Sequence, residues 1–442
     1  MRRAVITGVG LVTPLGLGTT ANWAALCAGH SGVGSLTQFD TSRLPVRIGG
    51  EVRDFIASDH ISDRRVFKTC HRSAHYALAA VGLALAEARL DLARIDRTRL
   101  GIATGCGEVG PCVTEFLPML HATLADDGRF DFRLLANRGQ RHLDPYLVVK
   151  ALPTNGLAHM SIAYQAKGPT FSSASASTAG AQAVGEAMRI IQEGEAEVMI
   201  AVGYDSLLLP SVLLHHHKLG LLAGGPGDSE GAVRPLDRAR SGYALAEGAG
   251  AVVLESAEHV ECRGICGLVE VAGYGLGFDP VFPGIEGPCG NGAGEGRGTA
   301  RAIRCALTDA ALKPDEIDMI KVEGEATRAG DRAEWRAVTA ALGAAAAVTP
   351  VCALKGAWGH QGAAAGVTEL IAAALSLRAG LILPTCNFRD PDTDVGATVV
   401  RGAARPARLK SALVVSRGFG GQSAAIVLRA VADGALSSEV GT

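Results

Sequence analysis

The sequence predicts an α/β protein with parallel strands buried between layers of helices, built as two similar halves. Three observations predict it. Short β-branched runs bounded by glycine alternate with longer Ala- and Leu-rich segments. A strand, a Gly-rich turn and a helix open the chain, and a strand beginning near Gly267 starts a second series of the same kind. The chain has 442 residues, 48% of them hydrophobic, ample for one large core or two fused halves.

The elements follow in order. "RRAVITGVG" supplies a buried first strand from Ala4 to Thr7, and "SAHYALAAVGLALAEARLD" (73–91) a helix. Pro169 to Ser173 run extended into a helix over "STAGAQAVGEAMRIIQEG" (177–194), and "EVMIAVGYDS" and "GAVVLES" are strands. The second series contains the strands "GLVEVAGYG", "IDMIKVEGE" and "SALVVSRGFGG", with helices over 298–312 and 367–380. This divides the chain into halves at 1–256 and 257–430, with a frayed tail at 431–442. The Gly-rich stretch 284–298 lacks G-K-[ST] and follows no clear strand, so it reads as a surface loop rather than a phosphate cradle.

Composition excludes several classes. A net charge of -2 with 19% charged residues gives no sign of a nucleic-acid or membrane-surface partner. The 10 scattered cysteines read as reduced, mostly buried thiols, and Cys262 with Cys266 form only a lone C-x-x-x-C. The apolar start is short and broken by Gly8, Gly10 and Pro14, unlike a signal peptide. The Ala-rich segment from Ala363 to Leu383 carries Glu369 and Arg378, unlike a membrane span. The expectation is a cytoplasmic protein. His215, His216 and His217 are consecutive on a helix, so they point apart and read as pocket or surface groups rather than a metal face. His71 and His75 stand at i, i+4 without a third ligand. "TGVGLVTPLG" lacks the G-x-G-x-x-G spacing, so neither a metal nor a nicotinamide site is expected.

The most informative stretch is "GPTFSSASASTAG" (168–180). Ser177 falls at or just before the first turn of a helix, facing unpaired N–H groups and the positive end of the dipole. That environment stabilises an anion. The alternative is that Ser177 merely caps the helix.

Taken with "AVITGVGLVTPLG", "PLDRARSGYALAEGAGAVVLE" (235–255) and "SRGFGGQSAA" (416–425), this stretch is similar to the elongating β-ketoacyl-acyl-carrier-protein synthases of fatty acid and polyketide assembly. The resemblance covers nearly the whole chain. It implies a thiolase-like layered α/β/α/β/α fold of two fused pseudo-symmetric halves. That family places an acyl-carrying cysteine in T-A-C-[ST]-x-G, and here Ser177 takes its place. The family's H-G-T-x-T segment reads "VEGEATRAGD", which puts Glu323 at the first histidine and Glu325 at the first threonine, and keeps Thr327. The K-x-x-x-G-H motif survives as Lys355 and His360, with Glu369 nine residues on. By resemblance, Glu247 and Glu369 are structural supports, and Phe419 is the gate of a loop that includes Gly420. The Ser177 and Phe419 amides form an oxyanion hole, and Thr327, Phe419 and Gly420 meet the substrate. The expected partners are an acyl carrier protein, whose phosphopantetheine arm replaces any cofactor of the chain's own, and a second subunit. The resemblance also implies that the strand around Thr170 to Ser173 pairs across a dimer axis.

These changes disfavour ordinary condensation. A free thiol ionises near ~8.5 and a helix N-terminus lowers this, whereas a serine hydroxyl needs an adjacent base. An ionised Glu323 offers no donor to the enolate and repels the malonyl carboxylate; a protonated one could donate a single hydrogen bond. Two functions follow. In the first, the chain is an acyltransferase in which Ser177 accepts the acyl group, His360 is the base, Glu323 its orienting acid and Lys355 a supporting cation. In the second, the chain is a non-condensing partner of an active ketosynthase, in the manner of a chain length factor, forming a heterodimer rather than a homodimer.

Overall fold

Strand β1 (Ala4–Thr13) runs through the middle of the protein and is buried along its whole length. A computed structural model describes residues 2–107, 113–224, 231–280 and 296–431. Cys112, Cys289, most of the Gly-rich stretch and the tail after Val431 lie outside the described residues. The other principal strands are β2 (Leu100–Cys106), β3 (Thr170–Ser173), β4 (Val198–Ser206), β5 (Glu247–Ser256), β6 (Val269–Phe278), β7 (Met319–Lys321), β8 (Pro350–Cys352), β9 (Thr398–Val399), β10 (Ser411–Arg417) and β11 (Gln422–Ala430). They lie in the order β9-β8-β7-β10-β11-β6-β1-β5-β4-β2-β3.

That order contains a repeat. In β3-β2-β4-β5-β1 the first two pairings are parallel and the last two antiparallel. The run β8-β7-β10-β11-β6 repeats the same signs. The halves meet where β1 pairs antiparallel with β6, Ala4 opposite Val271 and Ile6 opposite Val269. The all-parallel expectation is therefore corrected. Only residues 418–421 join β10 to β11, far too few for a crossover, so the pair must be antiparallel.

The principal helices are α1 (Arg72–Glu87), α2 (Ala179–Gln192), α3 (Pro210–Lys218), α4 (Arg297–Asp309), α5 (Arg328–Leu342) and α6 (Ala365–Ala379). Helix α1 covers the outer face of β1, β5 and β4, while α4 covers β6 and β11 and carries α5 against it. Helices α2 and α6 lie between the halves and touch strands of both. Their buried side chains, including Val184, Met188, Leu370 and Ile371, join Val252 and Ile426 from the two sheet faces in one core cluster. This is the layered thiolase-like fold. The segment Gly362–Ala379 is long and apolar enough to cross a bilayer, but 83% of it is buried inside the protein as this central helix.

Among the eight described cysteines no disulfide forms, and Cys70, Cys106, Cys352 and Cys386 are buried. The expectation of mostly buried thiols is corrected, because Cys262, Cys266 and Cys305 are exposed and Cys27 is half-buried.

The central helices approach through glycine. A Cβ on Gly366 would sit 2.4 Å from the Ala181 amide nitrogen, and one on Gly180 would sit 2.5 Å from the Ala363 carbonyl oxygen. Backbone on both sides cannot yield as a side chain could. Gly366→Val is expected to cost about 1–3 kcal/mol by overpacking, read as a lower urea midpoint. An unchanged midpoint would show that the helices part freely.

Candidate functional site

The hydroxyl-rich turn between β3 and α2 holds itself in shape. Ser173 and Ser175 hydroxyls lie 2.8 Å apart, and each donates to Gln182 Oε1 at 2.7 Å. Thr178 Oγ1 donates to the Ser175 carbonyl at 2.8 Å. Ala176 sits at φ +51°, a left-handed conformation uncommon for a residue with a Cβ. The turn thereby presents Ser177 on a short 3₁₀ segment, Ala176–Thr178, directly before α2.

Ser177 is not a cap, since neither the 3₁₀ segment nor α2 has a side-chain cap hydrogen bond. Its hydroxyl instead faces His360 Nε2 at 3.5 Å, and both residues are buried. His360 is gripped by its backbone: its N–H donates to the Ala244 carbonyl at 2.7 Å and its carbonyl accepts from Ala246 at 2.9 Å. The Tyr243 ring stands edge-on to the imidazole, centroids 4.7 Å apart.

The Gly362 N–H donates to His360 Nδ1 at 3.2 Å. An acceptor Nδ1 carries no proton, so the neutral ring carries its proton on Nε2. The ring is neutral because burial, then the Lys355 cation, pulls it down to about 3. His360 is thus built to donate from Nε2 toward Ser177, not to take the serine proton.

Glu323 does not orient His360. No hydrogen bond or ion pair joins them among the described residues, and Nδ1, where an orienting acid would bind, is occupied by Gly362. Glu323 Oε1 meets Lys355 Nζ at 2.8 Å, and Oε2 accepts from the Arg417 N–H at 3.2 Å. Burial by itself would push this carboxyl up, but Lys355 and Lys321 outweigh it and hold it below the ordinary carboxylate range. Its backbone is pinned by Glu334, which accepts from the Glu323 and Gly324 amides at 2.7 and 2.9 Å.

Lys355 Nζ also donates to Glu369 Oε1 at 2.6 Å, and the other Glu369 oxygen binds Lys321 Nζ. Lys321 was not singled out from the sequence. The available signal was a lysine inside an apolar strand, two residues before Glu323. Glu247 is buried and accepts from Gln38 Nε2 (2.5 Å), Ser206 Oγ (2.9 Å) and the Val52 N–H (3.1 Å). Asp205, also missed, anchors the loop after His360 by accepting from Ala363 N–H at 2.9 Å. Burial pushes its carboxyl up to about 6.

A cavity of about 500 Å³ lies at the mouth of the site, with Tyr243, Glu325, Thr327, Arg417, Gly418 and Phe419 in its wall. Gly420, Ser177 and His360 are not among the residues lining it. Thr327 caps α5, accepting from the Gly330 N–H at 3.0 Å, while its own proton goes to the Glu325 carboxylate. Of the three consecutive histidines, His216 reaches this region. Its Nδ1 lies 2.8 Å from the Tyr243 hydroxyl and its ring centroid 5.8 Å from that of Phe419.

The tautomer has a measurable consequence. His360 is expected to stay neutral with its proton on Nε2 from pH 5 to 8, read by ring ¹⁵N NMR. The unfolded chain takes up this proton below its ordinary value of 6.5 and the folded one only near 3. The group therefore lowers stability as pH falls through that window. A His360 titration between pH 6 and 7 would refute the assignment.

Two sequence profiles match the chain: the N-terminal domain of beta-ketoacyl synthase over residues 1–259 and its C-terminal domain over residues 286–389. The chain is 31% identical over 428 residues to 3-oxoacyl-[acyl-carrier-protein] synthase 2 of Staphylococcus aureus (strain COL), covering 97% of this chain and 98% of that one. It is equally similar, 31% over 428 residues with the same coverages, to the protein of that name from Synechocystis sp. (strain ATCC 27184 / PCC 6803 / Kazusa). Among solved structures, the ishigamide ketosynthase/chain length factor superposes with a TM-score of 0.84 at 29% identity, covering 97% of this chain and 99% of that one. A chain of AntDE:AntF, described as a type II PKS acyl-carrier protein in complex with its ketosynthase bound to the hexaketide, gives 0.79 at 27% identity, covering 97% and 99%.

Proposed function

The chain belongs to the β-ketoacyl synthase family, and from that premise we propose that it is the non-condensing, chain-length-factor-like partner of an active ketosynthase in fatty acid or polyketide synthesis. The observation that carries this is the Gly362 N–H on His360 Nδ1, at 3.2 Å. It leaves Ser177 facing a donor rather than a base, and an unactivated hydroxyl is a poor nucleophile. The ionised Glu323 adds repulsion to any malonyl carboxylate and contributes no donor for an enolate. Thr327, whose proton is committed to Glu325, has none to offer a phosphopantetheine amide.

The surface supports a partner. Among the described residues, strand β3 is the last in the sheet and pairs only with β2, leaving an edge open. Segments that precede β3 in the chain expose Phe132 (77%), Val148 (70%) and Ile162 (61%), apolar side chains open to a partner. One fold neighbour is itself described as a ketosynthase/chain length factor and another as a ketosynthase complex with an acyl-carrier protein. On this reading the partner is a ketosynthase joined across β3, and the acyl carrier protein serves the pair.

The acyl-serine reading keeps one observation in its favour, the 3.5 Å approach of Ser177 to His360. In it, the Ser177 and Phe419 amides would hold the oxyanion. The two readings separate by mass. The chain is co-expressed with a condensing ketosynthase from its own genome and incubated with acyl- and malonyl-acyl-carrier protein. The expected result is a heterodimer with no acyl adduct on this chain, and a Ser177→Ala pair that forms product within about two-fold of the parent rate; loss of a working triad member costs orders of magnitude. A covalent acyl adduct that disappears in Ser177→Ala would overturn the proposal in favour of the acyltransferase.

A further inference from the structure

The Glu323 carboxylate is one end of a buried chain of alternating charges. Lys321 binds Glu369, Glu369 binds Lys355, and Lys355 binds Glu323. All four side chains are 2% exposed or less. The chain carries two positive and two negative groups, so it is neutral as a whole. Removing one end leaves three groups and a net buried charge, which is costly unless a proton moves to cancel it.

We propose that Lys321 is the charge-balancing partner of Glu323, a positioning residue that keeps an ionised carboxylate at the site without touching it. Lys321 is the last residue of β7 and Glu323 lies two residues beyond it, and both side chains turn to the face where Glu369 and Lys355 meet them. On that face, helix α6 supplies Glu369 and the Lys355–Trp358 turn supplies Lys355. The surrounding groups do not provide the balance instead. Burial pushes the Cys352 thiol, beside Lys321, up to about 12, so it is neutral. His360 is neutral. Glu334 spends its oxygens on the Glu323 and Gly324 amides, and burial raises its carboxyl above the ordinary value despite the Arg417 cation. Burial and then Lys355 pull Lys321 down to about 7, and the carboxylate that does most to hold it up is Glu323.

This rests on the same ionised Glu323 as the proposed function, but it is read by different measurements. Lys321→Met, Glu323→Gln and the double variant are compared by urea unfolding and by the infrared carbonyl stretch of protonated carboxylic acids at pH 7. Lys321→Met is expected to lose stability and to show a new protonated-carboxyl band. The double variant is expected to lose that band and to recover roughly ten-fold in the unfolding equilibrium relative to additivity. Lys321→Arg should show no new band. If Lys321→Met does not fold, the double variant must fold for the proposal to stand. Additive losses, or no protonated carboxyl in Lys321→Met, would make Lys321 a packing residue and overturn the inference. Such a failure would leave the acyl-adduct test of Ser177 unaffected.

Discussion

The Lys355 cation is the point on which the site depends. It is wholly buried, and it touches Glu323 after β7 and Glu369 on the central helix α6. An ammonium removed from water needs at least one carboxylate beside it, and two need a further cation. Lys321 meets that requirement on the far side of Glu369. One charge thus ties a strand of the second half, the central helix layer and the segment leading to His360 into a single arrangement. It also adds to burial in keeping the imidazole neutral, because a nearby cation disfavours a second positive charge.

Backbone geometry then decides what His360 can do. The Gly362 amide takes Nδ1, so the other nitrogen can only donate. The same economy appears in the loop around Glu323. Leu236 and Ala326 are both held at positive φ (+63° and +65°), and both amides donate to one buried carboxylate, Asp331, at 2.8 and 3.0 Å. Arg240 lies 3.3 Å from that carboxylate. The result is a stiff pocket wall in which a carboxylate stands at the position that, by resemblance, a histidine would hold. Stiffness of this kind suits a template for a chain as well as a catalyst.

Much of this was legible in the sequence because it is written in local pattern. The Ala- and Leu-rich segments became α1, α2, α4 and α6 within a few residues, and Lys355, His360 and Glu369 were found through the family motif they resemble. What was not legible involves pairs distant in the chain. The antiparallel half of each sheet depends on strand order. The role of Ser177 depended on whether its hydroxyl met its own helix or a ring 183 residues away. Lys321 escaped notice because a lone lysine in a short apolar strand has no meaning until its partners, 48 residues on for Glu369, are folded beside it.

The sequence by itself determined the family resemblance, the two-half α/β plan and the identity of the groups at the centre: serine, glutamate, lysine, histidine. The plan follows from residue type and spacing, and the central groups from the family resemblance that ordered motifs carry without coordinates. Only the tertiary structure decided which way each group faces. It turned Glu323 to Lys355 rather than to His360, gave Nδ1 to a backbone amide and set Thr327 against Glu325. Hydrogen bonds and buried ion pairs are settled within a few ångströms and by angle, and no spacing along a chain encodes that.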